Sequence, residues 1–207
     1  MKNWPEPFNL VVCGVGGQGN ILISRLIGRI LTAQGYIVSI GETFGAAQRG
    51  GSVFSSLRIS KKRLYGPLIP EGRANVILSL EPMEALRQMK FLGNPEVMVL
   101  SNSKIVQPVD VLVGRDNYPD FDKLKSTITN LSKHAWFVPA TDIALDLGSP
   151  IVTNIVMLGA LVGSKTMPIS LKQAEDEVRA TIPDSQIELN LEALKKGYQA
   201  ALGADAA

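Results

Sequence analysis

The residues best suited to chemistry lie in two glycine-rich stretches. The first, Gly14-Val15-Gly16-Gly17-Gln18-Gly19, satisfies G-x-G-x-x-G directly after an apolar run at residues 8–13 and just before apolar positions at helical spacing. Glycines let the backbone turn tightly there, and a helix start offers an anion unpaired N–H groups and a partial positive charge. The second stretch, residues 41–51 (GETFGAAQRGG), holds four glycines in eleven residues and presents Gln48, Arg49, Gly50 and Gly51. A guanidinium set in glycine-rich backbone suits bidentate recognition of a carboxylate or phosphate. Glu42, 23 residues beyond Gly19, stands where a dinucleotide-binding domain places its ribose-binding acid. The candidate binding or interface residues are therefore Gly14, Gly16, Gly17, Gln18, Gly19, Glu42, Gln48, Arg49, Gly50 and Gly51.

Each feature also has a plainer reading. The glycines suit close strand–helix packing alone, and Arg49 equally suits a surface ion pair with Glu42 or a contact with a helix carbonyl. Against dinucleotide binding, a long glycine-rich loop stands after residue 41 where the usual fold turns quickly into a second helix. No G-x-x-x-x-G-K-[ST] phosphate loop and no G-x-S-x-G nucleophile elbow occurs. One cysteine, Cys13, and one histidine, His134, exclude an internal disulfide, a four-cysteine or paired Cys/His zinc site, a two-histidine metal site and an iron–sulfur cluster held by this chain alone. Cys13 ends a buried run and reads as an inert core thiol. His134 reads as a strand-edge residue, Asn154 as a hydrogen-bonded core residue, and Asp116, Asp120 and Asp122 as a solvated turn without the spacing of a calcium loop. No catalytic residue and no metal ligand is assigned.

The elements that must position these residues alternate. Residues 8–13 (FNLVVC) read as a buried strand, 20–34 as a helix ending near Gly35, and 36–40 as a second strand, so the chain opens with a βαβ unit and a right-handed crossover. Residues 52–60 (SVFSSLRIS) alternate as a strand, and Lys61-Lys62-Arg63 followed by Leu64-Tyr65-Gly66 suggests a hairpin after them. Further strands are expected at 74–80, 97–101 and 135–139, a short one within 110–121, and helices at 82–91 and 121–132. From about residue 150 the chain turns helical, at 152–162, 171–181 and 187–201, with Thr141 and Ser170 as N-caps and Gln173 completing a capping box at Ser170. The expected fold is α/β, a three-layer, mostly parallel but mixed sheet with extra C-terminal helices, in a single domain over residues 1–207.

At 207 residues one domain with a sizeable core is the default. Hydrophobic residues at 45% against 19% charged place the chain among globular proteins, and a net charge of +2 supplies no surface for neutralising many phosphates, so nucleic acid is not expected. Residues 1–9 lack the apolar run of a signal peptide. Two uncharged windows, 7–24 and 147–164, reach spanning length, but the first is split by the glycine turn and the second is apolar only in its later part, which suits a buried helix. No membrane segment is expected, and a lone thiol suits a cytoplasmic location.

Taken together, GVGGQGNILISRLIG at 14–28 and GETFGAAQRGGSVFSSLRIS at 41–60 resemble the gamma-type domain of the 2-oxoacid:ferredoxin oxidoreductases, most closely the small (beta) subunits of the indolepyruvate branch. The likeness continues through PLIPEGRANVILSLEPMEALR at 67–87, TNIVMLGAL at 153–161 and ELNLEALKKGY at 188–198. The resemblance implies an accessory, non-catalytic subunit. The large (alpha) partner subunit would hold thiamine diphosphate, Mg and [4Fe-4S] clusters, with no cofactor in this chain. The complex would oxidatively decarboxylate an aryl 2-oxoacid to an acyl-CoA, with CoA as co-substrate and ferredoxin as electron acceptor. The aromatic class rests on the A-Q-R-G-G form of the second loop. By the same resemblance the 14–19 turn and the Gln48–Gly51 loop face the partner's thiamine site. The residues alone leave open two other readings: a free-standing NAD- or FAD-binding Rossmann-like oxidoreductase, and a homo-oligomeric binding module such as a homodimer.

Overall fold

The computed structural model describes residues 4–42, 51–107, 111 and 117–203. Its axis is β1 (Phe8–Val15), whose FNLVVCGV run is apolar on both sides because both faces of the sheet are covered. Leu10 and Val12 point into one core and Val11 and Cys13 into the other, the two-residue alternation of a strand used twice. Six strands lie in the order β2 (Ile37–Glu42), β3 (Ser52–Ser60), β1, β4 (Val76–Ser79), β5 (Met98–Asn102), β6 (His134–Val138). β1, β4, β5 and β6 are parallel, while β3 runs antiparallel to both β1 and β2, so the sheet is mixed.

This order corrects the opening βαβ unit in one respect. β1 and β2 run in the same direction, with α1 (Asn20–Ala33) crossing between them, yet they do not pair, because β3 lies between. The hairpin partner of β3 is thus β2 before it. Residues 61–75, where a strand after the Lys61-Lys62-Arg63 cluster was expected, form none. The short strand expected within 110–121 falls largely outside the described residues.

The sheet is the middle of three layers. One face packs on α1, α5 (Thr153–Gly163) and α7 (Ile187–Gly203), through residues such as Ile27, Leu158 and Leu194, with α6 (Leu171–Thr181) laid against these helices and adding Val178 to the same core. The other packs on α2 (Pro82–Leu92) and α3 (Phe121–Asn130), through Ala85, Met89 and Ile128. The C-terminal helices therefore cover the sheet. α5 is apolar all round and buried from Asn154 to Gly163, as a helix between a sheet and another helix must be. α7 crosses it closely: a Cβ on Gly197 would lie 1.9 Å from the Val156 carbonyl oxygen, and one on Gly159 2.0 Å from that of Leu194.

Caps follow the sequence in one case and depart from it in another. Ser170 and Gln173 make the capping box of α6. Thr141 is not the cap of α4 (Ala140–Asp146); Pro139 holds that position, and the Thr141 hydroxyl accepts instead from Asn102 Nδ2 at 2.9 Å. Among the described residues no helix is long and apolar enough to cross a membrane.

Candidate functional site

Parallel strands put all their carboxyl ends at one edge, and the helices change faces between β1 and β4: α1 follows β1 on one side, α2 follows β4 on the other. That reversal opens a crevice where α/β sheets collect ligands. The first glycine turn sits in it. Gly14 ends the buried part of β1, where a Cβ would meet Gln18 Oε1 at 2.6 Å and Leu80 at 3.0 Å. Gly19, the residue before α1, has φ +90°, and a Cβ there would lie 2.2 Å from Asn154 Nδ2, so left-handed backbone and close approach both demand glycine. Gln18 holds the turn: its Oε1 accepts from the Val15 N–H at 2.7 Å and its Nε2 donates to the Leu80 carbonyl at 3.3 Å. Gln18 is thus a structural tie across the crevice, and Asn154 is a buried wall of the turn.

The two glycine stretches meet. The Gly16 N–H donates to the Gly51 carbonyl at 2.8 Å, and Val15 pairs with Ser52 in register. Gln48, Arg49 and Gly50 lie outside the described residues, which resume at Gly51. α1 starts with no side-chain cap and no acidic residue in its first turn, beside a cavity of about 270 Å3 lined by Gly16, Gly17, Gly19, Asn20, Phe54 and Ser55. Asn20 donates to the Val53 carbonyl at 3.1 Å.

Glu42 sits differently from the acid of a dinucleotide site. β3 occupies the place beside β1, which leaves β2 two strand spacings away, about 10 Å. The Glu42 carboxylate meets Arg25 of α1 at 3.7 Å.

Sequence reasoning missed a set of polar residues along the same edge. The Leu80 carbonyl accepts from Gln18 and also from Asn102 Nδ2 at 3.2 Å, and the Asn102 amide reaches on to Thr141, so the loops after β1, β4, β5 and β6 are tied in a row. Glu81 and Glu84, both buried, stand at the start of α2. Glu81 Oε2 accepts from the Glu84 N–H at 3.0 Å, and its Oε1 accepts from the Tyr118 hydroxyl and from the Val106 N–H at 3.5 Å. Glu84 accepts from the Ser52 hydroxyl and lies 3.6 Å from Arg87 Nε. Burial raises the Glu81 carboxyl above the ordinary carboxylate range despite those hydrogen bonds, and burial followed by the neighbouring carboxylate raises the Tyr118 phenol. The local signal was the Ser79-Leu80-Glu81-Pro82 junction, an acid directly before a proline at a strand-to-helix turn.

Cys13 is fully buried, its thiol hydrogen-bonded to Ser79 Oγ at 3.3 Å and pushed up by burial. A thiol so placed does not fit cluster ligation, and among the described residues no three His, Cys, Asp or Glu side chains are grouped to hold a metal ion. His134 begins β6 at the exposed end of the strand.

Fold and edge together define a mixed α/β domain with a glycine turn at its topological switch point. The family model for pyruvate ferredoxin/flavodoxin oxidoreductase matches residues 9–200, and the chain belongs to that family. It is 41% identical over 194 residues to indolepyruvate oxidoreductase subunit IorB of Archaeoglobus fulgidus, covering 94% of this chain and 95% of that one. The gamma subunit of a keto/oxoacid ferredoxin oxidoreductase from Geobacter sulfurreducens superposes with a TM-score of 0.68 at 25% identity, over 95% of this chain and 99% of that one. 2-Oxoglutarate:ferredoxin oxidoreductase from Magnetococcus marinus shares the fold with a TM-score of 0.76 at 22% identity, where 99% of this chain matches 32% of a longer polypeptide.

Proposed function

We propose that this chain is the small subunit of a cytoplasmic 2-oxoacid:ferredoxin oxidoreductase acting on aryl 2-oxoacids. It contributes binding surface and no acid, base or nucleophile to the chemistry. Thiamine diphosphate, Mg and the iron–sulfur clusters belong to a large partner subunit, which passes electrons to ferredoxin and transfers the acyl group to CoA. The observation that carries this reading is the Gly16 to Gly51 hydrogen bond, which brings both glycine stretches to one edge of the sheet. End-to-end likeness to the Archaeoglobus subunit supports the aryl class. The Gln48–Gly51 loop and the uncapped start of α1 would meet the partner along that edge, with Arg49 supplying charge toward a carboxylate or phosphate.

Native mass spectrometry of the chain co-expressed with the large subunit tests the assembly. A stable heteromer is expected, and full activity of the large subunit without this chain overturns the proposal. Within the heteromer, Arg49→Ala is expected to lower kcat/KM for CoA or the 2-oxoacid by about tenfold, the effect of one lost charge-assisted hydrogen bond. The melting temperature should hold.

A further inference from the structure

Two buried carboxylates at the start of one helix call for an explanation that capping alone does not give. Ser, Thr, Asp or Asn caps a helix as well as Glu does, or better. The longer Glu81 side chain spends one oxygen on the Glu84 N–H and leaves the other to receive the Tyr118 hydroxyl and the Val106 N–H. Glu84, one turn on, receives Ser52, the residue directly after the Gln48–Gly51 stretch, with Arg87 beside its other oxygen. Ser52 pairs with Val15 at the rim of the glycine turn, so a contact from α2 fixes a point next to the candidate site from the opposite layer of the sheet.

We infer that the first turn of α2 positions two segments at the carboxyl edge that carries the candidate site: the start of β3 beside the glycine turn, through Glu84 and Ser52, and the chain after β5, through Glu81 with Val106 and Tyr118. This rests on the subunit reading for its functional meaning and on the geometry alone for the contacts. Both glutamates are positioning residues, and each has one hydroxyl partner that can be deleted singly. Tyr118→Phe removes a hydroxyl while leaving Glu81 capping α2, and Ser52→Ala removes the other while leaving β3 its ladder.

Amide hydrogen exchange of the full-length chain, followed by mass spectrometry, tests the contacts. Ser52→Ala should speed exchange about tenfold at residues 51–53, and Tyr118→Phe likewise at 104–107 and 117–120, because each removes one hydrogen bond to a carboxylate. Residues 85–92 of α2 should exchange as in the wild type in both variants, and Ser52→Thr should restore the original rate. Unchanged exchange at the named segments overturns the inference, as does acceleration that spreads through α2, the mark of a merely structural loss. In the assembled heteromer, both deletions should lower kcat/KM for the 2-oxoacid about tenfold without weakening subunit association, with activity returning in Ser52→Thr. Wild-type activity in both deletions, despite faster local exchange, overturns the positioning role while leaving the subunit reading intact. Absence of a wild-type heteromer would instead overturn that reading, and the exchange measurement would still decide the contacts.

Discussion

Glu81 shows how a single residue can hold several pieces of backbone and be titrated for it. The residue is 1% exposed, and burial raises the pKa of its carboxyl above that of the unfolded chain. Folding therefore favours the protonated form: the stability contributed by Glu81 is fully present below the unfolded-state pKa and is lost as pH rises through the raised one. Glu81→Gln removes the titration but also replaces one acceptor oxygen with a donor, a cost of about 1–3 kcal/mol that does not change with pH. The variant should thus melt well below the wild type near pH 4, with the gap narrowing over the range in which pH rises above the unfolded-state pKa of about 4.3. Thermal denaturation across that range decides it, and a gap that widens with pH would contradict the assignment. At this scale the sequence was informative where a residue type has few uses. Gly14 and Gly19 could be read because their spacing has a backbone reason, and Cys13 because a lone thiol at the end of an apolar run belongs in a core. Glu84 and Asn102 were invisible, and Glu81 showed only its place before Pro82, because a carboxylate or amide near a strand end looks like any surface polar group until its partners, up to 39 residues away, are in place.

The elements were legible in proportion to their periodicity. Residues 52–60 alternate and form β3 over those limits, and residues 171–181 form α6 beneath the expected capping box. Pairing was not legible, because alternation says which face a residue takes and nothing about which strand lies beside it. Hence β3 could be drawn as a strand while its insertion between β1 and β2 went unseen. The crossing of α5 and α7 was hidden for the same reason: nothing in the spacing of Gly159, Gly163 and Gly197 says what faces them, yet a Cβ on any of them would meet main-chain atoms of the facing helix. Gly197→Ala tests that contact. Its new Cβ would face the Val156 carbonyl oxygen at 1.9 Å, backbone that cannot swing away as a side chain can, so the helices must part. The intrinsic gain in helix propensity, about 1 kcal/mol, should be outweighed by overpacking of about 3 kcal/mol. Chemical denaturation should show a net loss of stability with an unchanged m-value, and a more stable variant would mean that the crossing is looser.

On the scale of the whole molecule, the tied polar residues Gln18, Glu81, Glu84 and Asn102 stand at the carboxyl edge of a sheet whose two faces are covered by helices. Scarcity of cysteine and histidine suits the proposed subunit role, in which a partner would hold the redox groups. The rival reading, a free-standing dinucleotide enzyme, makes a quantitative demand on the isolated chain. A dinucleotide at a hundred times its Kd stabilises the folded state by about 2.7 kcal/mol. For a domain of this size that amounts to a rise in melting temperature of about 5–10 °C. Such binding needs the strand beside β1 to bring an acid to the ribose, but β3 fills that place, and Glu42 stands one strand further out against Arg25. The expected outcome with NAD, NADP or FAD in millimolar excess is therefore a shift below about 1 °C, well under the rise that saturating binding would produce. A shift of several degrees that disappears in Glu42→Ala would restore the dinucleotide site and overturn the role argued for the edge; one that survives in Glu42→Ala would mean that the glycine turn alone holds the ligand.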